Sequence, residues 1–186
     1  MISRPRTLPR EIRTERLVLR AAGVDDAPEQ VSTVNASFPE LTAWLPWARS
    51  PQTPAEAEEN LRAAAAAFEA GIEFNWIIRE ASSGAFIGRV SVFKVDWRIP
   101  KGEIGYWLAT SHVGHGYMRE AVAAIVAAAD KEGFRRLEIR CDALNERSAR
   151  VAKSVGFAQD ARLVNDDVST VDATALRDTL VFSRTR

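Results

Sequence analysis

A single cysteine, Cys141, in a chain of 186 residues excludes an internal disulfide framework and fits a reducing compartment, so a cytoplasmic protein is expected. Net charge is lacking as well: Lys plus Arg number 25 and Asp plus Glu number 25, with no basic run. Nothing in that balance attracts a polyanion, and nucleic acid is not an expected partner. No stretch approaches the roughly 20 apolar residues of a membrane span. The opening "MISRPRTLPREIRTERL" holds no apolar block of signal-peptide length, so neither targeting nor anchoring to a membrane is expected. The two histidines, His112 and His115, have no third ligand at metal spacing, which argues against a metal site and reads them as loop-surface residues. Internal repeats are missing, and the one biased run, "RAAAAAF", is helix by alanine propensity and not a linker.

What is present is enough apolar material, 46% of residues, to bury a substantial core in a chain of one-domain length. The expectation is one domain over residues 1–186, with 1–14 as a flexible extension. "RLVLRAA" suits a strand, and "GVDDAPEQVSTVNASF" follows with an Asp-rich helix start. Loop chemistry runs to Pro54, then an acidic first turn and an alanine-rich body stop at Gly71. "FNWIIREASSGAFIGRVSVFKVD" reads as a hairpin about Ser82, Ser83 and Gly84, and "KGEIGYWLA" adds a third consecutive strand. "YMREAVAAIVAAADKEGF" places Val122, Ile125, Val126 and Ala129 at helical spacing before Gly133. "RRLEIRCDAL" is a strand, "NERSARVAKSVGF" a short helix ending at Gly156, and "AQDARLV" and "RDTLVFSRTR" are closing strands. The order β-α-α-β-β-β-α-β-α-β-β implies a mixed sheet with helices on both faces.

Between the third consecutive strand and the alanine-rich helix stands "SHVGHGYMRE", with Gly114 and Gly116 one residue apart. A helix starting near Gly116 offers unpaired backbone N–H groups and about half an elementary charge, an anion site that needs neither Lys nor Arg. A tight strand-to-helix turn requiring positive φ accounts for the same pair equally well. The nucleoside-triphosphate loop G-x-x-x-x-G-K-S/T is excluded, because no Lys and no Ser or Thr follow the glycines. The dinucleotide fingerprint would need glycine at Arg119, and the carboxylate some 20 residues on, Glu138, is mid-strand.

"GEIGYWLATSHVGHGYMREAV" followed by "IRCDALNERSARVAKSVGF" resembles the GNAT N-acetyltransferases, and within them the RimJ/RimL type that acetylates ribosomal-protein N-termini. The subfamily resemblance extends to "LTAWLPWA", "FNWIIRE", "FIGRV" and "DTLVFSRTR", and covers about Glu15 to Arg184. It implies an α/β (α+β) fold with a mixed, mostly antiparallel sheet of about seven strands, splayed between strands 4 and 5. It also implies acetyl-CoA as cofactor, released as CoA. The pyrophosphate would lie on the N–H groups of Gly114, His115, Gly116, Tyr117, Met118 and Arg119, and the pantetheine arm along Trp107, Leu108 and Ala109, as an added strand pairs with a sheet edge. The family signature has Gln or Arg three residues before Gly116 and Gly or Ala two after it; here these positions are Val113 and Met118. Backbone donors and the helix dipole must therefore carry more of the binding.

The resemblance further makes Asn145 a contact to the pantetheine arm and Ser148 the donor of a hydrogen bond or proton to the departing sulfur. Asn145 is equally a helix N-cap. Many of these enzymes use a tyrosine later in that helix; its place here is Ala152. Glu103 is the candidate base, and it reads equally as a solvent-facing strand residue. Trp44, Trp47 and Trp97 are candidate walls for the acceptor, or core and lid residues. An amine must be neutral to attack a thioester, and an α-amino group at a pKa of about 7.7–8.0 needs less help than lysine near 10.4. The expected function is acetyl transfer to a peptide N-terminal amine by direct attack in a ternary complex. The alternatives are a small-molecule amine acceptor, such as an antibiotic, polyamine or amino-acid conjugate, and a non-catalytic CoA-binding module. Monomer and homodimer both remain open.

Overall fold

The computed structural model describes residues 7–186. Eight strands form one sheet: β1 (Glu11–Arg13), β2 (Leu17–Ala21), β3 (Phe74–Glu80), β4 (Phe86–Asp96), β5 (Lys101–Leu108), β6 (Arg136–Asp142), β7 (Ala158–Val168) and β8 (Leu176–Thr185). Their spatial order is β1-β2-β3-β4-β5-β6-β8-β7. Every neighbouring pair is antiparallel except β5 with β6. The helices are α1 (Ala27–Ala36), α2 (Phe38–Thr42), α3 (Pro54–Ala70), α4 (Tyr117–Lys131) and α5 (Glu146–Ser154).

Local chemistry explains the punctuation. Thr53 caps α3, accepting from Glu56 N while the Glu56 carboxylate returns to Thr53 N, and Gly71 ends the helix at φ 69°. β2 alternates buried and half-buried positions, whereas the first five residues of the more central β3 are all buried. Ile77 on β3 joins Ala57, Leu61 and Ala64 of α3 on one side of the sheet. Trp76 and Ile78 join Val122 and Ile125 of α4 and Ala149 and Ala152 of α5 on the other. Helices thus cover both faces, as the element order implies.

Among the described residues the sheet has eight strands, close to the expected number of about seven, the added one being Glu11–Arg13 paired with Val18–Arg20. This strand lies inside the stretch read as a flexible extension. Leu8 is buried and Pro9 O accepts from Trp76 Nε1 at 2.9 Å, so residues 7–14 are tied to the core, while 1–6 lie outside the described residues. A three-residue edge strand with one apolar side chain carries no alternation to detect. The expected splay now falls between β5 and β6. Their pairing covers Lys101, Gly102 and Glu103 against Arg136, Leu137 and Glu138 and goes no further.

Candidate active site

Beyond Glu103 the two parallel strands part, leaving Ile104–Leu108 without a partner strand on that side. The wedge opens into a cleft of about 1540 Å³. It is lined by Glu73 and Arg89, by residues of β5, by Gly114 to Arg119 at the start of α4 except His115, and by α5 residues including Ser148 and Val151.

At the α4 end the backbone provides donors. Gly114 has φ 92° and Gly116 φ 79°, both left-handed, where an L side chain costs about 1–2 kcal/mol. A Cβ on Gly114 would meet nothing within 4 Å, so the conformation and not crowding calls for glycine. Gly116 caps α4 without any side-chain bond. Among the described residues, the amides from Gly114 to Arg119 find no acceptor; the first to pair is Glu120 N, with Gly116 O at 3.1 Å. Arg16, just before β2, braces this turn. It donates to His115 O at 3.0 Å, pairs with Glu120 at 2.7 Å, and sits 4.9 Å over the Tyr117 ring. The Tyr117 hydroxyl donates to Glu80 at 2.7 Å. The result is a fixed nest of N–H groups at the positive end of a 15-residue helix, suited to a pyrophosphate-sized anion. Exposed Arg119, Arg147 and Arg150 also line the cleft.

On the α5 flank, Asn145 caps the helix, its side chain accepting from Ser148 N at 3.0 Å. That cap fixes Ser148 in the first turn and uses the Asn145 carbonyl, leaving its amide nitrogen for a ligand. Ser148 Oγ lies 3.0 Å from the Tyr106 hydroxyl, which comes across the wedge from β5. Burial pushes the Tyr106 phenol well above its ordinary value, with the Ser148 contact acting the other way. Tyr106 is therefore a neutral hydroxyl, able to accept from or donate to Ser148. Cys141 on β6 completes this wall; burial raises its thiol, opposed by a hydrogen bond with Ser148. It is a free, half-buried thiol.

Glu103 stands where the strands separate, its side chain 13% exposed and 2.8 Å from Lys94 Nζ. It lines the cleft, as do Trp107, Leu108, Val113, Tyr117 and Met118. Trp44 and Trp47, from the segment after α2, line the opposite wall, and the Trp47 ring is 6.2 Å from that of Trp107. The β7–β8 loop reaches the same segment: Thr170 Oγ1 donates to Ala43 O at 2.6 Å.

Three predicted site residues are not brought to the cleft. Trp97 Nε1 donates to Gly71 O at 2.8 Å and its ring packs edge-on at 4.8 Å from Phe134, so it is a core residue away from the acceptor side. Ala109 is buried, and its N–H is bound to Ile87 O at 2.8 Å, which removes it from strand-like pairing with a ligand. His115 points to solvent, stacked 5.8 Å from Tyr117, so its contribution is limited to its backbone. Among the described residues no group of three His, Cys, Asp or Glu is placed to hold a metal ion.

A splayed parallel pair, a donor nest at the following helix and a hydroxyl donor beside the opening form one constellation. The model of the Acetyltransferase (GNAT) domain matches residues 16–158, more than half of the chain. The chain belongs to the GNAT acetyltransferases. This GNAT protein is 33% identical over 92 residues to the ribosomal-protein-serine acetyltransferase of Escherichia coli (strain K12), a match covering 46% of the chain and about half, 51%, of that relative. A structure of RimL, a ribosomal-protein α-N-acetyltransferase in complex with coenzyme A, superposes with TM-score 0.86 at 22% identity, covering 96% of this chain and 97% of that one. The microcin C7 self-immunity acetyltransferase MccE, in complex with acetyl-CoA and AMP, gives TM-score 0.88 at 17% identity, covering 97% and 99%. At those identities the two structures show the shared fold.

Two residues of this GNAT site escaped the sequence reading. Tyr106 shares its strand face with Ile104 and Leu108, and a tyrosine on an apolar face is itself a signal, since its hydroxyl needs a partner. Arg16 left no local signal, because its partners His115 and Glu120 lie 99 and 104 residues away in sequence.

Proposed function

We propose that this GNAT protein transfers an acetyl group from acetyl-CoA to the α-amino group of a peptide or protein N-terminus, by direct attack in a ternary complex. The observation that carries the reading is the run of unpaired amides at Gly114–Arg119 opening onto a wedge that Ser148 also lines. The fit is chemical. A polyanion finds six N–H groups and a helix dipole, an amide-bearing arm finds the free edge of β5, and a sulfur at the end of that arm finds a hydroxyl. Acetyl-CoA supplies the thioester, which needs no prior activation by the protein.

The protein's residues supply the rest. Glu103, through a water, takes the proton that the attacking amine gives up as its C–N bond forms. Ser148 donates to the sulfur as the C–S bond breaks, and the Tyr106 hydroxyl at 3.0 Å reprotonates or orients it. Trp44, Trp47 and Trp107 wall the acceptor side. An α-amino acceptor suits a site whose base is the single carboxylate Glu103 acting through a water, because at neutral pH it needs about one pK unit of help against more than three for lysine. The relative from Escherichia coli, which by name acts on a ribosomal-protein serine, supports a protein acceptor.

Calorimetry with acetyl-CoA followed by a thiol-release screen of N-terminal peptides beside small amines tests the proposal. Binding and peptide-dependent release are expected. Binding without release for any amine would leave a CoA-binding module, and release with small amines alone would move the acceptor to that class.

A further inference from the structure

The acceptor half of the cleft contains a cation that the fold does not neutralise. Arg89 on β4 lines the cleft and donates to three amide oxygens: Gln30 Oε1 at 3.0 Å, Asn60 Oδ1 at 2.6 Å and Asn75 Oδ1 at 2.9 Å. Among the described residues no carboxylate forms an ion pair with it. Elsewhere this chain treats its half-buried arginines differently. Arg79 meets both Asp26 and Glu29, and Arg177 meets Asp142 and Asp167.

The amides around Arg89 are themselves held in place. Gln30 Nε2 donates to Gln52 at 3.1 Å and Asn75 Nδ2 donates to Glu73 at 2.8 Å, so their oxygens face the guanidinium. Gln30 and Asn75 are buried. Burial pushes the Arg89 guanidinium down to about 10, with Glu73 and Asp26 acting in the opposite direction. It is still fully charged at neutral pH. A charge taken out of water against neutral dipoles is costly, and a planar fork of N–H donors matches a carboxylate in both shape and charge.

Its position fits an acceptor. Arg89 is the register partner of Trp107, and two steps along the same face Ser91 partners Gly105, followed by Phe93 with Glu103. At about 3.3 Å per residue, the separation from Arg89 to the Gly105–Glu103 stretch is roughly 7 to 13 Å. That span matches the distance from a peptide's α-amino group to the side-chain carboxylate of its next residues. Glu73, joined to the cluster through Asn75, repels a dianion and so favours a carboxylate over a phosphate.

We propose that Arg89 is a specificity-determining residue that binds a carboxylate of the acceptor, so that the substrates are peptides with an acidic residue directly after the N-terminal one. The proposal rests on the N-terminal acetyltransferase reading, and binding separates the two. Calorimetry on the CoA-loaded protein would compare the peptide amides Ser-Glu-Ala-Ala and Ser-Gln-Ala-Ala. The Glu peptide is expected to bind about tenfold more tightly, a charged hydrogen-bonded pair being worth that much. Arg89→Met should bring the two within about twofold, and Arg89→Lys should keep part of the preference, with acetyl-CoA affinity serving as the control for a folded protein. Equal affinities in the unaltered protein, or a preference that survives in Arg89→Met, would overturn the proposal. A Glu preference without thiol release from either peptide would sink the transferase reading and leave the Arg89 site standing.

Discussion

The Tyr106 hydroxyl lies 3.0 Å from Ser148 Oγ, joining the edge of β5 to the first turn of α5 across the open wedge. Under the proposed mechanism, the contact would give Ser148 a route for replacing the proton it donates to the sulfur. Ser148→Ala should lower kcat by about 10²-fold, the lower end for a general acid, with the KM for acetyl-CoA nearly unchanged. Tyr106→Phe should lower kcat less, since Ser148 remains. Steady-state kinetics on both variants decides. Full kcat in Ser148→Ala would remove the assignment.

Tyr106 also predicts an alkaline loss of stability. Its phenol is raised by burial in the folded state, so the unfolded chain releases this proton first as pH rises. The stabilisation is complete below the unfolded value of about 10 and is lost as pH climbs from there toward the folded one. Thermal midpoints measured from about pH 8 to pH 11 should fall more steeply for the unaltered protein than for Tyr106→Phe. Parallel curves would show that the phenol is not desolvated as the structure has it.

Gly116 separates binding from catalysis. At φ 79° an alanine costs about 1–2 kcal/mol, and relaxing that strain would disturb the turn that presents the Tyr117 and Met118 amides. Gly116→Ala should therefore raise the KM for acetyl-CoA several-fold and leave kcat at saturation within about twofold. A matching fall in kcat would mean that this turn does more than hold the cofactor.

Glu103 carries a pH-dependent expectation of a different kind. Paired with Lys94 at 2.8 Å and placed where β5 leaves β6, it is suited to receive the amine's proton through a water. Glu103→Gln should lower kcat/KM for a peptide acceptor by about 10-fold or more near pH 7, and the deficit should narrow as pH passes the amine's own pKa near 8. A deficit independent of pH would assign Glu103 to structure alone.

Much of this was legible before the fold. The hairpin about Ser82–Gly84, the helix stop at Gly71 and the amphipathic α4 all carry local signals, and the structure repeats them. The donor nest was legible as a glycine pair, although the glycines proved to serve conformation first. What escaped depends on contacts distant in sequence. β1 is an edge strand defined by its pairing with β2, and Trp97 is drawn into the core by Phe134 and the Gly71 carbonyl. The charge of Arg89 acquires meaning from amides on α1, α3 and β3 that the chain brings together only in the fold. A strand of "FIGRV" gives no hint that its arginine lacks a carboxylate.

The central claim is acetyl transfer to an N-terminal α-amine, and one competition measures it. A peptide with a free serine N-terminus, glutamate second and a lysine further along would be incubated with acetyl-CoA and the protein near pH 7, and the modified position read by tandem mass spectrometry. The account predicts one acetyl group, on the α-amino nitrogen, formed in step with thiol release. Acetylation of the lysine, or an unmodified peptide from a protein that binds acetyl-CoA, would contradict it.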